Sequence, residues 1–253
     1  MSTGRMTEQS GQLTRNGIAL AWSLLPGRRP TIVFLPGFKS DMEGSKATHL
    51  RDWAASQGRA MLRLDYSGHG ASGGNFEDGT IGSWTADAAA IIAAHTMGPL
   101  LLVGSSMGGW IALLLARSMP ARVTALVGIA AAPDFTETLL GRGLTEPERA
   151  TLLSDGYIER PSVYGEKPYR FTRALIEDGR NQSLLNAAIP ITCPVRLLQG
   201  QRDDDVPWPT AQRLADQLTS DDVQITLIKD GDHRLSRPQD LTLLTRTAAA
   251  LLD

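Results

Sequence analysis

The sequence predicts an α/β fold, in which a mostly parallel central sheet is flanked by helices and interrupted by one small inserted cap. Three observations carry that expectation. Short β-branched or leucine-rich runs alternate with helical stretches, the pattern of βαβ units. One apolar run, Leu100-Leu101-Leu102-Val103, passes through a glycine-rich turn straight into a second apolar stretch, Gly109 to Arg117. The chain has 253 residues, 42% of them apolar, enough for one full core.

The elements follow in chain order. Residues 1–16 are polar and lack the apolar core of a secretory signal, so they read as disordered or as a lead-in to an edge strand. Ile18–Leu25 then reads as an antiparallel edge strand. Core strands are expected at residues 31–35, 60–64, 100–104, 123–129, 195–199 and 223–228. Helices are expected at residues 46–57, 83–96, 109–118, 209–218 and 238–252, most with apolar residues at three- and four-residue spacing and with proline or glycine at their ends. Strand signals vanish between Asp134 and Pro190, where the chain turns charged and irregular. An excursion of that length inside an α/β domain reads as an inserted cap. The whole chain, 1–253, is therefore one domain with a cap at about 134–190.

Composition excludes several function classes. A net charge of −2 gives no electrostatic reason to expect nucleic acid or an anionic membrane. No apolar run approaches the roughly 20 residues that span a bilayer. Cys193 is the only cysteine, so a reducing compartment, the cytoplasm, is the expectation. No His-Glu-x-x-His or paired cysteines suggest zinc, and the glycine-rich turn lacks a P-loop lysine. Neither metal nor cofactor is expected.

The turn itself, Gly104-Ser105-Ser106-Met107-Gly108, has the Gly-x-Ser-x-Gly form that pushes a serine hydroxyl out at the end of a sheet. A serine needs a base, and the base needs an orienting acid. His233, in the polar turn Asp230-Gly231-Asp232-His233-Arg234 after the last strand, is the expected base; His69 is the alternative, and His49 and His95 fall on helices. The run Asp203-Asp204-Asp205 follows the strand at 195–199 and supplies the acid, with Asp203 preferred and Asp134 as the alternative. Two backbone N–H groups should form an oxyanion hole, from Met107 after the nucleophile and from Phe38 in the Pro36-Gly37-Phe38 turn. The cap aromatics Tyr157, Tyr164, Tyr169 and Phe171 are candidates to line an apolar slot over Ser106, or else to form the cap's own core.

These motifs together resemble the α/β-hydrolase superfamily. Phe34-Leu-Pro-Gly-Phe-Lys-Ser-Asp-Met-Glu-Gly-Ser-Lys46, Asp65-Tyr-Ser-Gly68, Gly104-Ser-Ser-Met-Gly-Gly-Trp110, Cys193-Pro-Val-Arg-Leu-Leu-Gln-Gly200 and Asp204-Asp-Val-Pro-Trp208 recur in similar form in its branch of mitochondrial acyl-protein thioesterases and acyl-glucuronide esterases. The resemblance runs from about Thr31 to the C-terminus and is weakest across the cap. It implies nucleophile, acid and base at Ser106, Asp203 and His233, and an acylated or small-molecule substrate. It also implies a mitochondrial address as the alternative to the cytoplasm. The chemistry expected is hydrolysis of a carboxylic ester or thioester through an acyl-enzyme. The alternatives are another acyl substrate, such as a lactone or a C–C bond beside a ketone, and an inactive binding protein that keeps the fold.

Overall fold

The computed structural model describes residues 7–137, 144–161 and 168–252. The chain opens on an antiparallel hairpin, β1 (Gln9–Arg15) and β2 (Ile18–Leu25). Then come β3 (Arg28–Leu35), α1 (Ser45–Ser56), β4 (Arg59–Leu64), α2 (Ile81–His95), β5 (Leu100–Ser105), α3 (Met107–Ser118) and β6 (Val123–Ile129). After an excursion the fold resumes with β9 (Val195–Gly200), α6 (Pro209–Gln217), β10 (Val223–Ile228) and α7 (Pro238–Ala250). The excursion holds α4 (Glu146–Ser154), β7 (Tyr157–Arg160), β8 (Tyr169–Thr172) and α5 (Arg173–Asn181).

Eight strands form one sheet in the order β1-β2-β4-β3-β5-β6-β9-β10. From β4 to β10 every pairing is parallel. The central strands read as unbroken apolar runs because helices cover both faces. Alternation along β5 divides its side chains between the faces. Leu100 and Leu102 join Val33, Leu35, Leu62 and Leu64 in the core that carries α2 and α3. Leu101 and Val103 join Ile32, Phe34 and Val127 against Leu50 of α1 and Leu244 of α7. This topology carries the ends of β3, β5, β9 and β10 to one edge of the sheet, where open parallel sheets place their sites.

Two expectations are corrected. The edge strand is β1, and Ile18–Leu25 is the second strand of the sheet, paired on both sides. Gln9–Arg15 escapes a hydrophobicity reading because only one of its residues, Leu13, is apolar, and it pairs through its backbone along a full hairpin register. Strand structure also exists inside the excursion. β7 and β8 pair antiparallel, Ile158 opposite Phe171, in segments of four residues, too short for a period to show in sequence.

Candidate active site

Ser106 sits between β5 and α3 with φ 54° and ψ −120°, a left-handed backbone that costs a non-glycine residue strain. Its surroundings hold it there. The Ser106 N–H donates to the Ile129 carbonyl at 2.9 Å, and the Ser106 carbonyl accepts from the N–H groups of Gly109 at 2.8 Å and Ala132 at 3.1 Å. Glycine at 104 and 108 is a packing requirement. A Cβ on Gly104 would come within 2.2 Å of the Gly108 carbonyl oxygen, and one on Gly108 within 2.0 Å of the Leu35 carbonyl oxygen. Strand, helix start and the neighbouring β3 therefore pass at backbone contact, and the serine points off the sheet edge.

The Ser106 hydroxyl lies 3.0 Å from His233 Nε2, and His233 Nδ1 lies 2.9 and 3.0 Å from the two oxygens of Asp203. The matching proton assignment has Nδ1–H donating to the carboxylate and Nε2 accepting from the hydroxyl. The Asp203 side chain has no solvent exposure, whereas that of His233 keeps 17%. Asp203 also accepts from Gln199 Nε2 at 3.0 Å and from the N–H groups of Asp205 at 3.0 Å and Val206 at 2.8 Å, which fixes the plane of the carboxylate. The loops bearing acid and base touch: a Cβ on Gly200 would meet the Gly231 carbonyl oxygen at 2.4 Å, and Arg202 N–H donates to that oxygen at 2.9 Å. Asp203, Asp205 and His233 bring ligand-type atoms within 4.8 Å of one another, a grouping that these hydrogen bonds already explain.

The structure separates the alternatives from this cluster. Asp134 turns its carboxylate to Ser183 Oγ at 2.7 Å and to the N–H groups of Leu184 and Leu185, where it pins the end of the excursion. His69 is buried among Tyr66, Phe76 and Trp84, with Nδ1 3.1 Å from the Ser67 carbonyl. Burial lowers its pKa to about 4, which makes it a weak proton acceptor. His95 stacks on Trp22 at 3.8 Å, at the far end of α2.

Phe38 follows a turn packed directly on the serine: a Cβ on Gly37 would lie 3.3 Å from Ser106 Cβ. Among the described residues, neither Phe38 N–H nor Met107 N–H donates to a backbone carbonyl outside the helix and strand ladders. Tyr66 hydroxyl donates to the Pro36 carbonyl at 3.2 Å and steadies this turn from below. Gln199 and Tyr66 are site-supporting residues that sequence reading missed. The available signal was a polar side chain on an otherwise apolar strand end, with Gln199 closing Val195-Arg-Leu-Leu-Gln199.

The aromatics of the excursion divide. Phe171 is 5% exposed and lies flat on the Phe38 ring, 5.3 Å between centroids and 7° between planes. Tyr169 meets Phe38 edge-on at 5.8 Å. Tyr157 pairs with Thr172, on the hairpin face opposite to Ile158 and Phe171, and its ring carries the Arg170 guanidinium at 4.5 Å. Tyr164 lies outside the described residues.

The fold and this site define a class. The chain belongs to the alpha/beta hydrolase family, whose profile matches residues 32–242, and it is a hydrolase. It is 41% identical to the mitochondrial palmitoyl-protein thioesterase ABHD10 of Bos taurus, over 92% of this chain and 76% of that one. A solved structure from Agrobacterium vitis S4 superposes with a TM-score of 0.93 at 44% identity, covering 98% of this chain and 99% of that one. The mouse alpha/beta hydrolase domain-containing protein 10 superposes at 0.90 with 38% identity, covering 96% and 98%. The bovine and human relatives are mitochondrial by name, which overturns the cytoplasmic expectation. A single cysteine separates reducing from oxidising compartments, and it has no power to distinguish one reducing compartment from another. No helix among the described residues is long and apolar enough to cross a membrane.

Proposed function

We propose that this chain is a serine hydrolase that cleaves carboxylic esters and thioesters through an acyl-enzyme on Ser106. The observation that carries the reading is the continuous chain of contacts from Ser106 Oγ through His233 to Asp203, at 3.0 and 2.9 Å. Oγ attacks the acyl carbonyl carbon while its proton passes to His233 Nε2, and Asp203 stabilises the imidazolium through Nδ1–H. The carbonyl oxygen becomes an oxyanion that accepts from the N–H groups of Phe38 and Met107. Collapse breaks the bond to the leaving oxygen or sulfur, which takes the proton from Nε2. Water then repeats the sequence and releases the acid.

Acylated protein thiols are the substrate class that the thioesterase names of the relatives support. Residues 134–190 act as a cap that sets acyl preference, and the sheet sets only that an acyl group is cleaved. The apolar rings gathered on Phe38, from Phe76, Phe135, Tyr169 and Phe171, favour an aliphatic acyl chain nearby. Each fitting methylene contributes about 1 kcal/mol, so preference between neighbouring chain lengths is modest. The test compares kcat/KM for thioesters, oxygen esters and amides of graded acyl length. Thioesters and esters should outpace amides of the same acyl group, and faster cleavage of amides would overturn the reading.

A further inference from the structure

The loop that carries His233 is anchored at two places. Its start is held by Arg202 N–H on the Gly231 carbonyl. Its far side is held from α1, 188 residues away in sequence, where Lys46 Nζ donates to the Arg234 carbonyl at 2.5 Å. The same ammonium reaches Ser236 Oγ at 3.3 Å, and Ser236 Oγ donates to that same carbonyl at 2.9 Å. Between the anchors the loop is bent: Leu235 has φ 43°, with its N–H on Asp232 Oδ1 at 2.9 Å. Arg237 closes the turn onto α7 through Asp230 at 2.7 Å and Asp240 at 2.8 Å. A carbonyl one residue from the base is thus fixed by a side chain from another part of the fold.

We propose that Lys46 is a positioning residue for the reaction, whose ammonium holds the Arg234 carbonyl and so sets where His233 presents Nε2 to Ser106. The role rests on His233 being the base. Lys46 borders a small cavity of about 10 Å³ whose lining is apolar, with Ile129, Leu198, Leu235 and Leu244, apart from Asp240. Charged groups facing the ammonium are Arg234 and Asp232 from the loop and Asp240 from α7; β6 and β9 contribute only Ile129 and Leu198. Burial lowers the Lys46 pKa to about 8, Arg234 pushes the same way, and the two aspartates oppose. Above that pH the neutral amine holds the carbonyl less firmly, and turnover falls. Stability moves the other way. An unfolded lysine keeps its proton to about 10.4, so between the two values the unfolded state binds more protons and native stability rises with pH.

The experiment measures kcat and KM from pH 5 to 10 for the wild type, Lys46→Met and Lys46→Arg, with melting curves in the same buffers. Wild-type kcat should fall along an alkaline limb near pH 8 while its melting temperature rises relative to Lys46→Met. Lys46→Met should lose roughly 10- to 100-fold in kcat with little change in KM, and lose the limb. Lys46→Arg, charged throughout, should recover part of kcat and also lack the limb. Wild-type kcat in Lys46→Met, or a limb near pH 8 that persists in Lys46→Arg, would overturn the role. Lys46→Arg keeps the test decisive if the methionine variant misfolds. A wild type that acylates at Ser106 but shows the overturning pattern sinks only the positioning role, whereas absence of acylation at Ser106 removes the serine mechanism beneath it.

Discussion

Replacing one carboxylate oxygen of Asp203 by an amide changes what His233 can do. Nδ1–H then faces a group that can donate as well as accept, and the imidazolium formed during attack loses its counter-charge. Asp203→Asn should therefore lower kcat by roughly 10²–10⁴ in a steady-state assay. Asp204→Asn and Asp205→Asn should stay within about tenfold, since both side chains are exposed while Asp203 is buried. Near-wild-type activity in Asp203→Asn would remove Asp203 from the mechanism. At this scale much of the candidate site was legible, because Ser106, Asp203 and His233, which the structure brings into contact, each follow a strand end and stand in the chain order that motif reasoning expects. Gln199 and Tyr66 were not, because each acts through a contact that exists only once distant loops meet: Gln199 on Asp203, and Tyr66 on Pro36, 30 residues earlier.

At the scale of elements, the β7–β8 hairpin and the Pro36-Gly37-Phe38 turn are mechanically one unit. Phe171 is buried against Phe38, so a change in the hairpin reaches the backbone beside Ser106. Phe171→Ala should destabilise the fold by about 3–5 kcal/mol, as for other buried Phe deletions, read from urea unfolding. It should also lower kcat for every acyl length, because a displaced Phe38 N–H weakens oxyanion binding whatever the chain. A variant that altered only chain-length preference would instead make Phe171 a wall of the acyl slot. Sequence reading left both roles open for the cap aromatics, since four-residue strands carry too little period to say which face turns inward. The hairpin register shows which residues share a face, with Phe171 opposite Ile158 and Tyr157 opposite Thr172.

Across the whole molecule, buried titratable groups couple the fold to pH. His69 has its pKa lowered to about 4 by burial, while an unfolded histidine titrates near 6.5. The unfolded state binds the extra proton between those values. Stability from this group is therefore complete above about pH 6.5 and is lost as pH falls toward 4, on the order of 2–3 kcal/mol. Urea unfolding from pH 7 to 4 should show that loss, and His69→Phe should lessen the slope; equal slopes would mean His69 carries no such burden. The architecture was legible at this scale because parallel strands covered on both faces leave apolar runs that survive in any reading. The compartment was not, because composition reports redox conditions and carries no address.

The serine mechanism rests on one covalent species. Mixing the enzyme with a slowly deacylating ester or thioester, quenching in acid and mapping the adduct by peptide mass spectrometry tests it directly. Acyl-enzyme chemistry predicts one acyl group per chain on Ser106, abolished in Ser106→Ala together with a loss of turnover of about 10⁴-fold or more. An adduct on Ser105 or elsewhere, or steady hydrolysis by Ser106→Ala at the wild-type rate, would contradict it.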